Sequence, residues 1–177
     1  MFRVVCSIVV VVSLAACSQG SRSASPLAPN GVTGTASEAV VQSASGSAHR
    51  IRPLPDGELW VLTFNAEKRA DGTVTGTAHI DRKDLDAAWD VEVTCMSVVG
   101  NTAWIAGIVR NARGAIPRDG TVSYFYVTDN GEGSDAPPDR ASAIRINDLA
   151  GQDIAFCTDR PVVLPATDIA HGNVQVR

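Results

Sequence analysis

Residues 58–81 read ELWVLTFNAEKRADGTVTGTAHID, and the alternation in this stretch decides the fold. Trp60, Leu62, Phe64 and Ala66 fall on one side of an extended chain, with Val61, Thr63, Asn65 and Glu67 on the other. That is the period of two expected of a half-buried β-strand. After an Asp71-Gly72 pair, Val74, Gly76, Ala78 and Ile80 alternate in turn. An Asp-Gly pair between alternating segments is a strong short-range hairpin signal, because both residues tolerate the positive φ that a tight reversal needs.

The same plan continues downstream. In AWDVEVTCMSVV (residues 88–99), Trp89, Val91, Val93 and Cys95 share a face. A Gly100-Asn101 turn follows, and then TAWIAGIVRN (102–111), which is apolar on both faces. TVSYFYVTDN (121–130) is an aromatic and β-branched strand, and SAIRIN, DIAFCT and GNVQVR are shorter strand candidates after it. No segment has a convincing helical period, and RKDLDAAWD has room for one turn at most. Regular short strands joined by turns predict an all-β fold, an antiparallel meander forming a small β-barrel, with a β-sandwich as the alternative. Gly76 and Gly107 lie inside strands, where glycine marks a bend or a close backbone approach.

The chain opens differently. Residues 1–17 are MFRVVCSIVVVVSLAAC: one cation at Arg3, an apolar run from Val4 to Leu14, then small residues. The run is too short to span a hydrocarbon core of roughly 30 Å as a helix, and it follows the plan of a secretory signal peptide. Leu14-Ala15-Ala16-Cys17 resembles the lipobox of bacterial lipoproteins. The resemblance implies a signal peptide over residues 1–16, cleavage before Cys17, and diacylglycerol carried on the Cys17 thiol with a further acyl chain on its amino group. Two or three acyl chains hold a protein stably where one does so only marginally. The alternative is an ordinary signal cleaved elsewhere. Ser18, where an inner-membrane lipoprotein of that family commonly has aspartate, implies the outer membrane or cell surface rather than the inner membrane.

Residues 17–45 comprise the lipidated cysteine and SQGSRSASPLAPNGVTGTASEAVVQSAS, which lacks aromatic residues and any apolar period. Such a composition reads as a flexible tether, the alternative being an edge strand at Ala39 to Gln42. Residues 46–177 then form one β domain of about 130 residues, enough for a single core.

The chain has 15 basic and 19 acidic residues, a formal charge of −4, and loss of Arg3 with the signal leaves 14 − 19 = −5. This excludes nucleic acid as a partner, since it is recognised through a basic patch, and leaves membrane attachment to the lipid. Of four cysteines, Cys6 leaves with the signal and Cys17 takes lipid, so Cys95 and Cys157 remain. In an exported protein such an even pair forms a disulfide. A metal pair or a reactive thiol is the alternative, although the three histidines, His49, His79 and His171, do not cluster in sequence.

Much of the domain also resembles a family of small secreted bacterial β domains of no established activity. The resemblance runs through GELWVLTFNAEKRADGTVTGTAHI, VEVTCMSVVGNTAWIAGIV, VTDNGEGSDAPPDRAS and GNVQVR. It implies the β fold and pairing of Cys95 with Cys157, and carries no reaction over.

Candidate chemistry is sparse. The loop DNGEGSDAPPD places Asp129, Glu132, Asp135 and Asp139 within eleven residues, hard oxygen donors of the kind calcium takes. The EF-hand pattern nevertheless fails, with Gly131 and Gly133 at ligand positions and Arg140 where a bidentate glutamate belongs. A solvated turn stiffened by Pro137-Pro138 is the other interpretation. His79 falls on the polar side of its strand, no nucleophile elbow is present, and Asp81 and Asp84 read as turn residues rather than a glycosidase pair. No catalytic set, metal site or resident cofactor is expected. Trp60 and Trp89 read as core, while Trp104 could serve either core or ligand. The expected protein is a lipid-anchored envelope lipoprotein with a non-enzymatic binding or structural module, whose partner is an envelope component, a protein or a small ligand. A calycin-like or hydrolytic enzyme and a small-ligand carrier are the alternatives.

Overall fold

The computed structural model describes residues 39–51, 59–115, 117–133, 135–162 and 164–177. The expected signal peptide, Cys17 and the tether up to residue 38 lie outside the described residues. Among the described residues the chain runs through β1 (Val40–Ile51), β2 (Leu59–Arg69), β3 (Val74–Arg82), β4 (Ala87–Val99), β5 (Thr102–Arg113) and β6 (Val122–Thr128). Then follow β7 (Arg140–Ser142), β8 (Arg145–Asn147), α1 (Gln152–Asp159), β9 (Ala166–Asp168) and β10 (His171–Val176). No described helix is long and apolar enough to cross a membrane.

The strands form one sheet in the order β10-β1-β2-β3-β4-β5-β6-β7-β9, with β8 also on β6. Every pairing is antiparallel. The meander curls into a half-barrel rather than splitting into a sandwich. Its two ends meet through one stretch of chain, because β9 pairs with β7, β10 pairs with β1, and only Ile169 and Ala170 separate β9 from β10. Arg50 strengthens this seam: it is buried, and its Nε donates to Thr167 Oγ1 at 2.8 Å, joining β1 to β9.

The alternation read from β2 and β3 is the one observed. Trp60, Leu62, Phe64, Ala66, Ala78 and Ile80 are all buried in one cluster with Trp89, Val91, Ile105, Phe125 and Val174. Trp60 meets Trp89 edge to face at 5.9 Å between centroids, and Phe64 meets Phe125 at 5.7 Å. This is the packing that aromatic quadrupoles prefer.

Four expectations need correction. The strand β1 begins at Val40, so residues 40–45, read as the end of the tether, are the first half of a strand paired to β2 and β10. Their small side chains hid this: Ala44 is buried against the core while Ser43 and Ser45 face outward, an alternation without bulk. Second, DIAFCT is the helix α1 and not a strand. Its buried residues, Asp153, Phe156 and Cys157, recur at i, i+3 and i+4, but one of the three is a carboxylate, so hydrophobicity alone does not reveal the period.

Third, Cys95 does not share the face of Trp89, Val91 and Val93. The register slips between Val93 and Cys95, leaving Thr94 as an extra residue in β4. A β-bulge of this kind reverses the alternation beyond it. Met96 therefore points into the main core, and Cys95 joins Trp104, Ala106, Tyr126, Phe156, Cys157 and Leu164 beneath α1. Fourth, the Cys95–Cys157 disulfide, present as expected, ties this bulge to a helix, not to a late strand. The helix also explains why β5 is apolar on both faces: Ala103, Ile105 and Val109 face the barrel interior, and Trp104 and Ala106 face α1. Gly76 and Gly107 sit at close backbone approaches, where an added Cβ would lie 2.3 Å from Asn65 O and 2.0 Å from Glu92 O respectively.

Candidate functional site

The acidic loop serves the seam. Asp139 is 7% exposed, and its Oδ1 accepts from Asn130 N at 2.8 Å while its Oδ2 accepts from Val174 N at 2.9 Å. Asp129 Oδ1 accepts from Gly131 N at 2.8 Å and its Oδ2 from Val176 N at 3.0 Å. Val174 and Val176 belong to β10, whose other side pairs with β1. The two aspartates therefore satisfy amides that β10, as an edge strand, would leave without ladder partners. Glu132 Oε1 accepts from the side chain of Asn173 at 2.9 Å, and Asp135 is exposed. The carboxylate oxygens that a calcium ion would need are bonded to N–H groups instead. Among the described residues no three histidine, cysteine, aspartate or glutamate side chains are grouped to hold a metal.

Asp139→Ala strips two amides of a charged acceptor and is expected to cost at least about 2 kcal/mol. Glu132→Ala, at the exposed rim, should stay within about 0.5 kcal/mol. Urea unfolding of both variants checks the difference, and thermal melts in calcium and in chelator should coincide. A calcium-dependent rise in Tm of the native chain would restore the metal interpretation.

A different constellation gathers on the outer face of the sheet. Cross-strand pairing aligns Asn173, Ser47, Thr63, His79, Asp90 and Arg110 in one row across β10, β1, β2, β3, β4 and β5. A second row runs through Gln175, Ser45, Asn65, Thr77 and Glu92. Between them lies an open groove of about 640 Å³ lined by Thr63, Asn65, Thr77, His79, Asp90, Glu92, Arg110 and Asn111, with Gly46, Phe64, Ala78 and Val91 also contributing.

Within the groove, His79 Nδ1 lies 2.7 Å from Asp90 Oδ1, and Asn111 Nδ2 donates to Asp90 Oδ2 at 2.8 Å. Arg110 Nε donates to Glu92 Oε2 at 3.0 Å. The bonds from Asn111 and His79 hold the Asp90 carboxyl below the usual carboxylate range. Asn111 reaches Asp90 because of a second bulge: the register slips between Ala88 and Asp90, with the extra residue in β5. Asn111 there adopts φ 51°, a left-handed conformation that asparagine tolerates better than most residues. Bulges of this kind re-aim side chains beside functional sites.

His79 was the one member of this group legible in the sequence, and it does face solvent, with its side chain 50% exposed. Asp90, Asn111, Glu92 and Arg110 were missed. They come together only through strand pairing and the bulge, and the usable local signal was an asparagine at a position that requires positive φ. The other candidates disperse. His49 and His171 pair across β1 and β10 with ring centroids 6.2 Å apart. Asp81 pairs with Lys83, and Asp84 with Arg82, the latter at 2.6 Å, so both are turn residues. Trp104 is buried, its indole N–H donating to Pro161 O at 3.2 Å. Compared with known proteins, the chain matches no family model, no curated protein and no solved structure.

Proposed function

We propose that the chain is a lipid-anchored cell-envelope protein, attached through Cys17, whose β domain is a non-enzymatic binding module. The observation that carries the module reading is the filled interior. Trp60, Phe64, Trp89 and Phe125 occupy the space in which a ligand-carrying barrel keeps its cavity. An inner void beside Arg50, Trp60 and Ile144 measures about 10 Å³, no more than a water molecule occupies. No described histidine is buried. Recognition then falls to the outer face, and the groove is its largest polar concavity among those found. The anchor rests on the lipobox at Leu14 to Cys17, and the absence of aspartate at position 18 supports an outer-membrane or surface location.

The anchor is tested on the membrane fraction. Mass spectrometry is expected to find an acylated N-terminal Cys17, and Cys17→Ser should shift at least nine-tenths of the protein out of that fraction. Unchanged processing and membrane association in Cys17→Ser would overturn it.

A hydrolytic reading has one observation in its favour, the His79–Asp90 pair, which is the orienting half of a nucleophile–base–acid arrangement. The half that attacks is missing: no described hydroxyl or thiol hydrogen-bonds to His79, whereas nucleophilic catalysis needs one within reach of its base.

A further inference from the structure

We propose that the outer groove binds an uncharged, hydroxyl-rich chain, a segment of neutral glycan. The inference rests on the binding-module reading and supplies its ligand class.

Charge points this way first. Asp90 has a hydrogen-bond partner on each oxygen, and Arg110 is paired with Glu92. The groove thus presents no unpaired cation to a phosphate or sulfate, and its carboxylates are already engaged by neighbours. What remains open are Thr63, Asn65 and Thr77, exposed residues whose side chains hydrogen-bond to no other described residue. Hydroxyl and amide groups both donate and accept, which matches a sugar hydroxyl that does the same.

Shape agrees. Phe64, Ala78 and Val91 contribute apolar surface to the lining, against which the C–H face of a sugar ring can lie while its hydroxyls reach the polar rows. The rows cross β1 to β5, four inter-strand steps of roughly 4.8 Å or about 19 Å in all, long enough for several sugar units. An extended peptide would instead seek an unpaired strand edge, and these strands are paired on both sides.

The test titrates the full mature chain, in a detergent without a sugar headgroup, with three neutral tetrasaccharides: chitotetraose, cellotetraose and maltotetraose. A heparin tetrasaccharide and pentalysine serve as charged probes. At least one neutral chain is expected to bind by calorimetry, with affinity falling tenfold or more in Thr63→Val/Thr77→Val and in Asn65→Ala. All three substitutions are at exposed positions, and circular dichroism melts confirm that each variant is folded. Amide shift mapping on the native chain provides a measurement that needs no variant, and Thr63, Asn65, Thr77 and His79 should shift most. No neutral chain binding at millimolar concentration, binding indifferent to the variants, or binding of the charged probes alone would overturn the assignment. An assignment overturned in this way leaves anchoring through Cys17 intact. Tetrasaccharides recovered shortened would support the groove and instead overturn the non-enzymatic reading.

Discussion

Trp89→Ala is expected to lower the folding free energy by about 3–5 kcal/mol, the range for emptying a large aromatic site in a core. Trp89 is 2% exposed, packs edge to face on Trp60, and brings its indole N–H to 3.4 Å from the buried hydroxyl of Ser123 on β6. It therefore connects β2, β4 and β6 through the middle of the half-barrel, and no neighbouring segment is free to collapse into the space it leaves. Set against a total stability of roughly 5–15 kcal/mol, the loss is a large share. Urea unfolding followed by far-ultraviolet circular dichroism measures it, since removing one of three tryptophans compromises a fluorescence comparison. Trp89→Phe should recover part of the loss by retaining an aromatic face toward Trp60. A cost below about 1 kcal/mol for the alanine variant would mean that Trp89 is not the centre of the core.

Removing the disulfide is the second large effect. Cys95 and Cys157 are 62 residues apart in sequence, and cross-linking a loop of that length restricts the unfolded chain by about 4 kcal/mol in the chain-entropy account. Cys95→Ala with Cys157→Ala should lower Tm by about 10 °C or more for a domain of this size. The consequence should also be local. An eight-residue helix is marginal by itself, and beyond the disulfide α1 is held by Phe156 against Tyr124 at 4.7 Å and by Thr94 Oγ1 donating to Asp153 Oδ2 at 2.6 Å. Hydrogen exchange at α1 should accelerate more than at β2 and β3, whose amides are protected by strand neighbours on both sides. Equal acceleration everywhere would show that the helix and the sheet unfold as one unit. Thiol counting on the denatured, unreduced chain provides the chemical check, and two free thiols would refute the bridge.

Local alternation was enough for much of the fold. In β2 and β3 every second residue is bulky and apolar, the turn between them carries Asp71-Gly72, and these are short-range properties of a strand that meets the core on one face. The hairpins, the placement of Trp60 and Trp89 in the core, the solvent-facing His79 and the pairing of Cys95 with Cys157 follow from them and from the cysteine count. The remainder depended on contacts between residues distant in sequence. An alternation of alanine, serine and glycine in β1 carries too little apolar contrast to be read, yet pairing with two neighbours makes it a strand. The helix α1 forms because the sheet offers it an apolar face and a disulfide. Single extra residues, Thr94 in β4 and one beside Asn111 in β5, moved Cys95 to the far face and brought an amide onto Asp90. A period of two predicts side-chain direction only while the register is unbroken, and where a bulge falls is decided by the partner strand. The acidic loop shows the same division: its carboxylates were evident in the sequence, but their acceptor role depended on the amides of β10, which approach them only once the half-barrel has curled.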